Sequence, residues 1–106
     1  MTHNLKTWPQ FLNAIGRGDK LFEVRREDDR KFAVGDELIL REWLPDSDTP
    51  GRRWVSCRVT YCLRGWQWGI EDGYVVMGIR LPANHAWPPE DNATGDSLPP
   101  RKETNG

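Results

Sequence analysis

Residues 7–26 read TWPQFLNAIGRGDKLFEVRR, and within them the hydrophobic period changes from that of a helix to that of a strand. Thr7 is placed as an N-cap, Gln10 completes a capping box three residues on, and Pro9 falls in the first turn, where its missing N–H costs nothing. Trp8, Phe11, Leu12 and Ile15 then follow at i, i+3, i+4 and i+7, an apolar stripe assigned to the core, and Gly16 and Gly18 offer the positive φ that ends a helix. Beyond Gly18 the period becomes two. The alternation places Phe22 and Val24 on a buried face and Glu23 and Arg25 on a wet one.

Outward from this stretch the chain continues as strands. His3–Lys6 reads as a short strand before the helix. Glu27-Asp28-Asp29-Arg30 is a solvated excursion, and Val34-Gly35-Asp36 turns into Glu37–Trp43. Pro45–Gly51 reads as a loop. Trp54–Leu63 alternates, with Val55, Cys57, Val59, Tyr61 and Leu63 on one face. Arg64–Ile70 is a glycine-bracketed aromatic loop, and Tyr74–Leu81 is a last strand in which Gly78 suggests a bulge or a close backbone approach. No crossover helix or βαβ unit is visible. The reading is a mostly β, α+β domain with one or two short helices, its sheet closed as a small β-barrel with the N-terminal helix packed against one end.

A chain of 106 residues holds one domain. Residues 1–82 carry the fold, while 83–106, rich in Pro, Gly and short polar residues with Trp87 and Leu98 as the only large apolar side chains, read as a disordered tail. Net charge is −1, yet residues 1–68 hold twelve Lys or Arg against ten Asp or Glu and residues 69–106 hold three against six. A global basic field is excluded, so any phosphate contact rests on a local patch with a shallow salt dependence. Cys57 and Cys62, five apart on one strand, point to opposite faces and cannot pair. With no signal-peptide pattern and no membrane-length apolar run, the expected compartment is the cytoplasm. No metal-ligand spacing is present, and no metal or cofactor is expected.

Gly18-Asp19-Lys20-Leu21-Phe22-Glu23-Val24-Arg25 fits the pattern G-x-K-x-x-E-x-R, directly after a short helix and leading into a strand. In this motif the chain resembles the ASCH domain family of the PUA-like superfamily. The likeness extends to His3-Asn4-Leu5-Lys6 with Trp8-Pro9, to Val34-Gly35-Asp36, to Leu40-Arg41-Glu42-Trp43 and to Gly73–Ile79, blocks similar to a small ASCH-like branch of phages and bacteria that together span residues 3–81. The resemblance implies a PUA-like barrel with a cleft beside the helix, used for RNA or modified nucleotides. Lys20 and Arg25, with Lys6, would then supply charge to a phosphate, and Glu23 would accept from a base edge or sugar hydroxyl. Trp43, Trp66, Trp68 and Tyr74 would offer stacking surfaces, with Arg41 beside Trp43 on the cleft wall. Trp8, as part of the helix stripe, is left out of the site.

One relative in that superfamily is an amidohydrolase of acetylcytidine that uses a lysine, a threonine and a glutamate. Lys20 matches the lysine, but Glu23 stands at the threonine position and the insertion carrying the glutamate has no counterpart, so an enzyme here would have to work with Lys20 and Glu23 alone. A third expectation is a small phage-type interaction or inhibitor module with a protein partner, in which exposed tryptophans form a hot spot. The position of the rings discriminates: around the Lys20–Glu23–Arg25 cleft they favour a nucleotide, elsewhere a protein.

Overall fold

A computed structural model of the chain describes residues 1–89. Its elements run β1 (Thr2–Thr7), α1 (Pro9–Gly16), β2 (Phe22–Arg26), β3 (Glu37–Leu44), β4 (Thr49–Arg64) and β5 (Tyr74–Arg80). The strands form one sheet in the order β1-β3-β4-β5-β2, curled as a half-barrel with α1 in its hollow, so the fold is mostly β with one short helix. Among the described residues no ladder joins the two edge strands β1 and β2. The curl therefore ends in a seam rather than in backbone closure.

The expectation of antiparallel strands without a crossover is corrected at β1, which pairs with β3 in parallel, Leu5 opposite Leu40 and Thr7 opposite Glu42. Parallel neighbours need a long connection, and α1 with β2 supplies it. The remaining pairs are antiparallel.

Leu12 and Ile15 of α1 meet Leu38 and Leu40 of β3, Val55 and Val59 of β4, and Val75 and Met77 of β5, all of them buried. Each such side chain contributes roughly 1.5–3 kcal/mol by leaving water. The helix begins one residue later than its sequence signals indicate. Trp8 occupies the N-cap in extended backbone (φ −66°, ψ 150°) without a side-chain cap, Pro9 opens the first turn, and Thr7 belongs to β1, so no capping box forms. Trp8 and Phe11 consequently lie on the flank of the helix and stay half-exposed. The chain leaves α1 through Gly18 at φ 82°, and the turn of Val34-Gly35-Asp36 uses Gly35 at φ 96°.

Two strands depart from their simple alternation. In β4 a bulge between Val59 and Tyr61, opposite Ile79 and Gly78, shifts the register by one residue. Tyr61 is thereby turned out to 65% exposure, and Cys62 joins Cys57 on the core side; both cysteines are free. In β2 the assignment of faces is reversed. Glu23 is buried, while Phe22 and Val24 are exposed.

β4 also begins earlier than expected, at Thr49, because a second register shift between Arg41 and Trp43 carries the β3–β4 ladder through Pro50. Gly51 there leaves room for Glu42, which accepts from the backbone N–H groups of Arg52 and Arg53 and from the Arg53 guanidinium.

The tail expected from residue 83 does not begin there. His85 bonds the carbonyl of Gly16 through Nε2 at 2.9 Å, and Trp87 packs on Gly16 with the Arg53 guanidinium 5.3 Å from its ring. One large aromatic suffices to fix a segment whose average composition is polar. From residue 90 onward that expected tail lies outside the described residues.

Candidate functional site

The seam between β1 and β2 holds a cleft of about 530 Å³, lined by Lys6, Thr7, Trp8, Phe11, Lys20, Phe22, Glu23, Val24 and Arg25. That volume falls in the range of small-molecule sites, roughly 300–1,000 Å³. Three short segments build it: the end of β1 with the start of α1, the turn after α1, and the edge strand β2.

The G-x-K-x-x-E-x-R motif forms a chain of charged contacts along its floor. Lys20 Nζ donates to Glu23 Oε2 at 2.8 Å and to the Phe22 carbonyl at 2.7 Å. Glu23 Oε1 accepts from Arg25 Nε at 2.9 Å. Arg25 Nη2 then crosses the seam, donating to the Lys6 carbonyl at 2.9 Å and to Thr7 Oγ1 at 3.3 Å. Two edge carbonyls that an incoming strand could pair with are thus occupied by side chains, which guards an exposed sheet edge.

These contacts explain the reversal of faces in β2. Glu23 lies opposite Met77 and Arg25 opposite Val75, so both project to the concave side, and the Glu23 side chain is only 4% exposed. A buried carboxylate is costly unless it is paired and hydrogen-bonded. Here each oxygen holds one cation, and those cations keep a solvent-facing share, 19% for Lys20 and 25% for Arg25. The register then turns Phe22 and Val24 to the other face.

Aromatic rings flank the charges. Trp8 and Phe11 lie nearly parallel, 17° between planes and 6.1 Å between centroids. Lys20 Nζ is 4.7 Å from the centre of Phe22, and Lys6 Nζ is 4.1 Å from the centre of Trp43. Three cations against one carboxylate give the cleft a formal charge of +2, although the chain carries −1.

Of the residues expected in the site, Lys6, Lys20, Glu23 and Arg25 converge. Glu23 has a different task from the one expected: with both oxygens engaged and the side chain buried, it orients the cations and has no face to offer a ligand. Trp43 only borders the cleft, through Lys6, its indole N–H donating to Asp48 at 2.8 Å. Arg41 donates to Asn4 at 2.9 Å and does not line the cleft. Tyr74 lies beneath the Arg26 guanidinium at 5.5 Å. Trp66 and Trp68, 80% and 86% exposed, stand on the β4–β5 loop, with Trp68 at φ 53°; neither they nor Tyr74 line the cleft.

Sequence reasoning missed Thr7, Trp8, Phe11, Phe22 and Val24. The usable signal for Trp8 was Pro9 after it: proline disfavours helical backbone in its predecessor, so Trp8 could not belong to the helical stripe. Thr7 supplies the hydroxyl that the motif itself lacks. It is buried, accepts from Arg25 and donates to the Leu5 carbonyl at 3.5 Å, which makes it part of the seam's fastening. Cys57 is held as an inert thiol, its pKa pushed up to about 12 by burial and then by the charges of Glu23 and Glu37. Among the described residues no group of three or more His, Cys, Asp or Glu is placed to hold a metal ion, and no helix is long and apolar enough to cross a membrane.

A family model described as "Domain of unknown function (DUF3850)" matches residues 2–79, and the chain belongs to that family. The match contains the whole cleft and stops before His85 and Trp87. No curated protein matches the chain.

Proposed function

For this member of the DUF3850 family we propose binding of a nucleotide-bearing ligand, single-stranded RNA foremost, in the seam cleft. The observation that carries the reading is the junction of a paired-cation floor, Lys20–Glu23–Arg25, with the half-exposed rings of Trp8, Phe11 and Phe22. A base stacks on an aromatic face for about 1–3 kcal/mol, while the adjacent cations face its phosphate. The ASCH-like motif is part of the same proposal, and so is action in the cytoplasm, which two free cysteines favour.

Binding is favoured over hydrolysis because the groups a hydrolase would need are already engaged. Lys20 donates to Glu23, both Glu23 oxygens are taken, and the Thr7 hydroxyl is tied to Leu5 and Arg25. The test is a titration of the full chain with single-stranded RNA followed by tryptophan fluorescence, ligand integrity being checked by chromatography. Saturable quenching with unchanged RNA is the expected result; absence of binding, or product formation, would overturn the reading.

A second reading, a protein partner docked on the β4–β5 loop, is favoured by the exposure of Trp66 and Trp68 away from the cleft. Loss of partner capture in the double variant Trp66→Ala/Trp68→Ala, with RNA binding intact, is its expected signature. Capture unchanged in that variant would reject it.

A further inference from the structure

Resting on the nucleotide reading, we infer that the cleft selects its ligand by a phosphate group seated between Lys20 and Arg25, so that a nucleoside monophosphate is bound well above the corresponding nucleoside.

The basis is a count of what the floor has left to give. An ammonium group has three N–H donors, and Lys20 directs one to the Phe22 carbonyl and one to Glu23, leaving one. A guanidinium has five, and Arg25 turns Nε–H and Nη2 toward Glu23 Oε1, with Nη2 also reaching the Lys6 carbonyl and Thr7 Oγ1, which among the described residues leaves both hydrogens of Nη1. On the acceptor side Glu23 is exhausted, each oxygen holding one cation with the side chain 4% exposed. Among the described residues the floor therefore offers spare charged donors and no spare carboxylate oxygen. A neutral nucleoside edge, which mixes donors with acceptors, leaves that surplus unmatched; a phosphate oxygen set matches it.

Size and charge agree. The cleft of about 530 Å³ suits one ring with one charged group, and its formal +2, from Lys6, Lys20 and Arg25 against Glu23, suits a phosphate monoester of about −2. Trp8, Phe11 and Phe22 line the same cleft, with Lys20 Nζ 5.8 Å from the centre of Phe11 and 4.7 Å from that of Phe22, so a ring stacked on them sits beside that seat.

Glu23 then acts as a positioning residue. Its two bonds hold the cations pointing into the cleft, which spares the ordering cost that a free lysine and arginine would bring to the complex.

The experiment measures binding of a nucleoside, its 5′-monophosphate, inorganic phosphate and a single-stranded RNA to the full chain by calorimetry. The monophosphate is expected to bind at least about tenfold tighter than the nucleoside, as charge-assisted hydrogen bonds imply. Lys20→Gln, with its fold checked by circular dichroism, is expected to cut that preference below about threefold. For RNA, a seat for one phosphate predicts a salt slope near −0.7 that does not steepen with oligomer length.

Nucleoside and monophosphate binding within threefold of each other would overturn the phosphate seat and leave the nucleotide reading standing. RNA binding with no monophosphate binding would do the same. If no member of the panel binds, both fall. The wild-type comparison is decisive even where a variant fails to fold.

Discussion

Strands β4 and β2 obey opposite rules. In β4, Val55, Cys57 and Val59 face the core while Arg58 faces solvent, as the alternation requires. In β2, two strands away across the same sheet, the apolar Phe22 and Val24 face outward and the charged Glu23 is buried. The first strand has neighbours on both sides and a helix over it; the second has an open edge with Lys20 and Arg25 at hand to neutralise a carboxylate. A local rule of hydrophobic patterning breaks where a sequence keeps charge in and rings out, and such breaks gather at functional sites.

The sharpest way to strain the comparison is Leu40→Ala beneath α1. A cavity there costs about 2–5 kcal/mol, read as a fall in thermal midpoint, while the protein that remains folded binds RNA as before. Glu23→Ala comes next. Breaking a fully buried ion pair costs about 3–5 kcal/mol, but Lys20 and Arg25 reach solvent, so about 1–3 kcal/mol is expected, together with weaker RNA binding. A loss of stability in Glu23→Ala as large as in Leu40→Ala, with binding unchanged, would make β2 an ordinary core strand.

Acid probes the body of the fold. Hydrogen bonds from Arg64 hold the Glu27 carboxyl below its usual range despite the opposing effect of burial. Burial pushes the carboxyls of Asp36 and Glu42 up, but His3, the Ala33 N–H and the terminal amine more than offset this at Asp36, as Arg53 and the Arg52 N–H do at Glu42. A depressed folded value means stability that is complete above the unfolded value, near 4, and is lost as pH falls through the folded one. Urea midpoints should therefore be flat from pH 7 to about 5 and drop below about 4; a midpoint that rises on acidification contradicts this.

The smallest effects on stability divide the aromatics. Phe22→Ala should change stability by less than about 1 kcal/mol, since the ring is already half in water, yet weaken RNA binding roughly fivefold or more. Trp66→Ala should alter stability by less than about 0.5 kcal/mol and leave RNA binding within twofold. Equal loss of binding in both would move the site to the β4–β5 loop.

Much of this molecule is legible in its residues. The helix between Pro9 and Gly16, the turn at Val34-Gly35-Asp36 and the core faces of β3 and of β4 up to Val59 follow from period and punctuation alone. What is hidden depends on distant partners. The parallel pairing of β1 with β3 has no local mark, and although Gly78 signals a bulge, its position in the facing strand β4, where it inverts Tyr61 and Cys62, is set by the pairing. The reversal in β2 requires knowing that Lys20 and Arg25 both reach Glu23. Within the site the charged half was readable from its motif, whereas the rings of Trp8, Phe11 and Phe22 were obscured by a helical stripe and an alternation that both assigned them inward.

The most direct test of the cleft is amide chemical-shift mapping of the full chain by nitrogen-15 NMR during titration with single-stranded RNA. Perturbations gathered on residues 6–8, 11, 20 and 22–25, the lining of the seam, are the expected result. Perturbations centred on residues 64–70, or spread without focus, would contradict a ligand seated there.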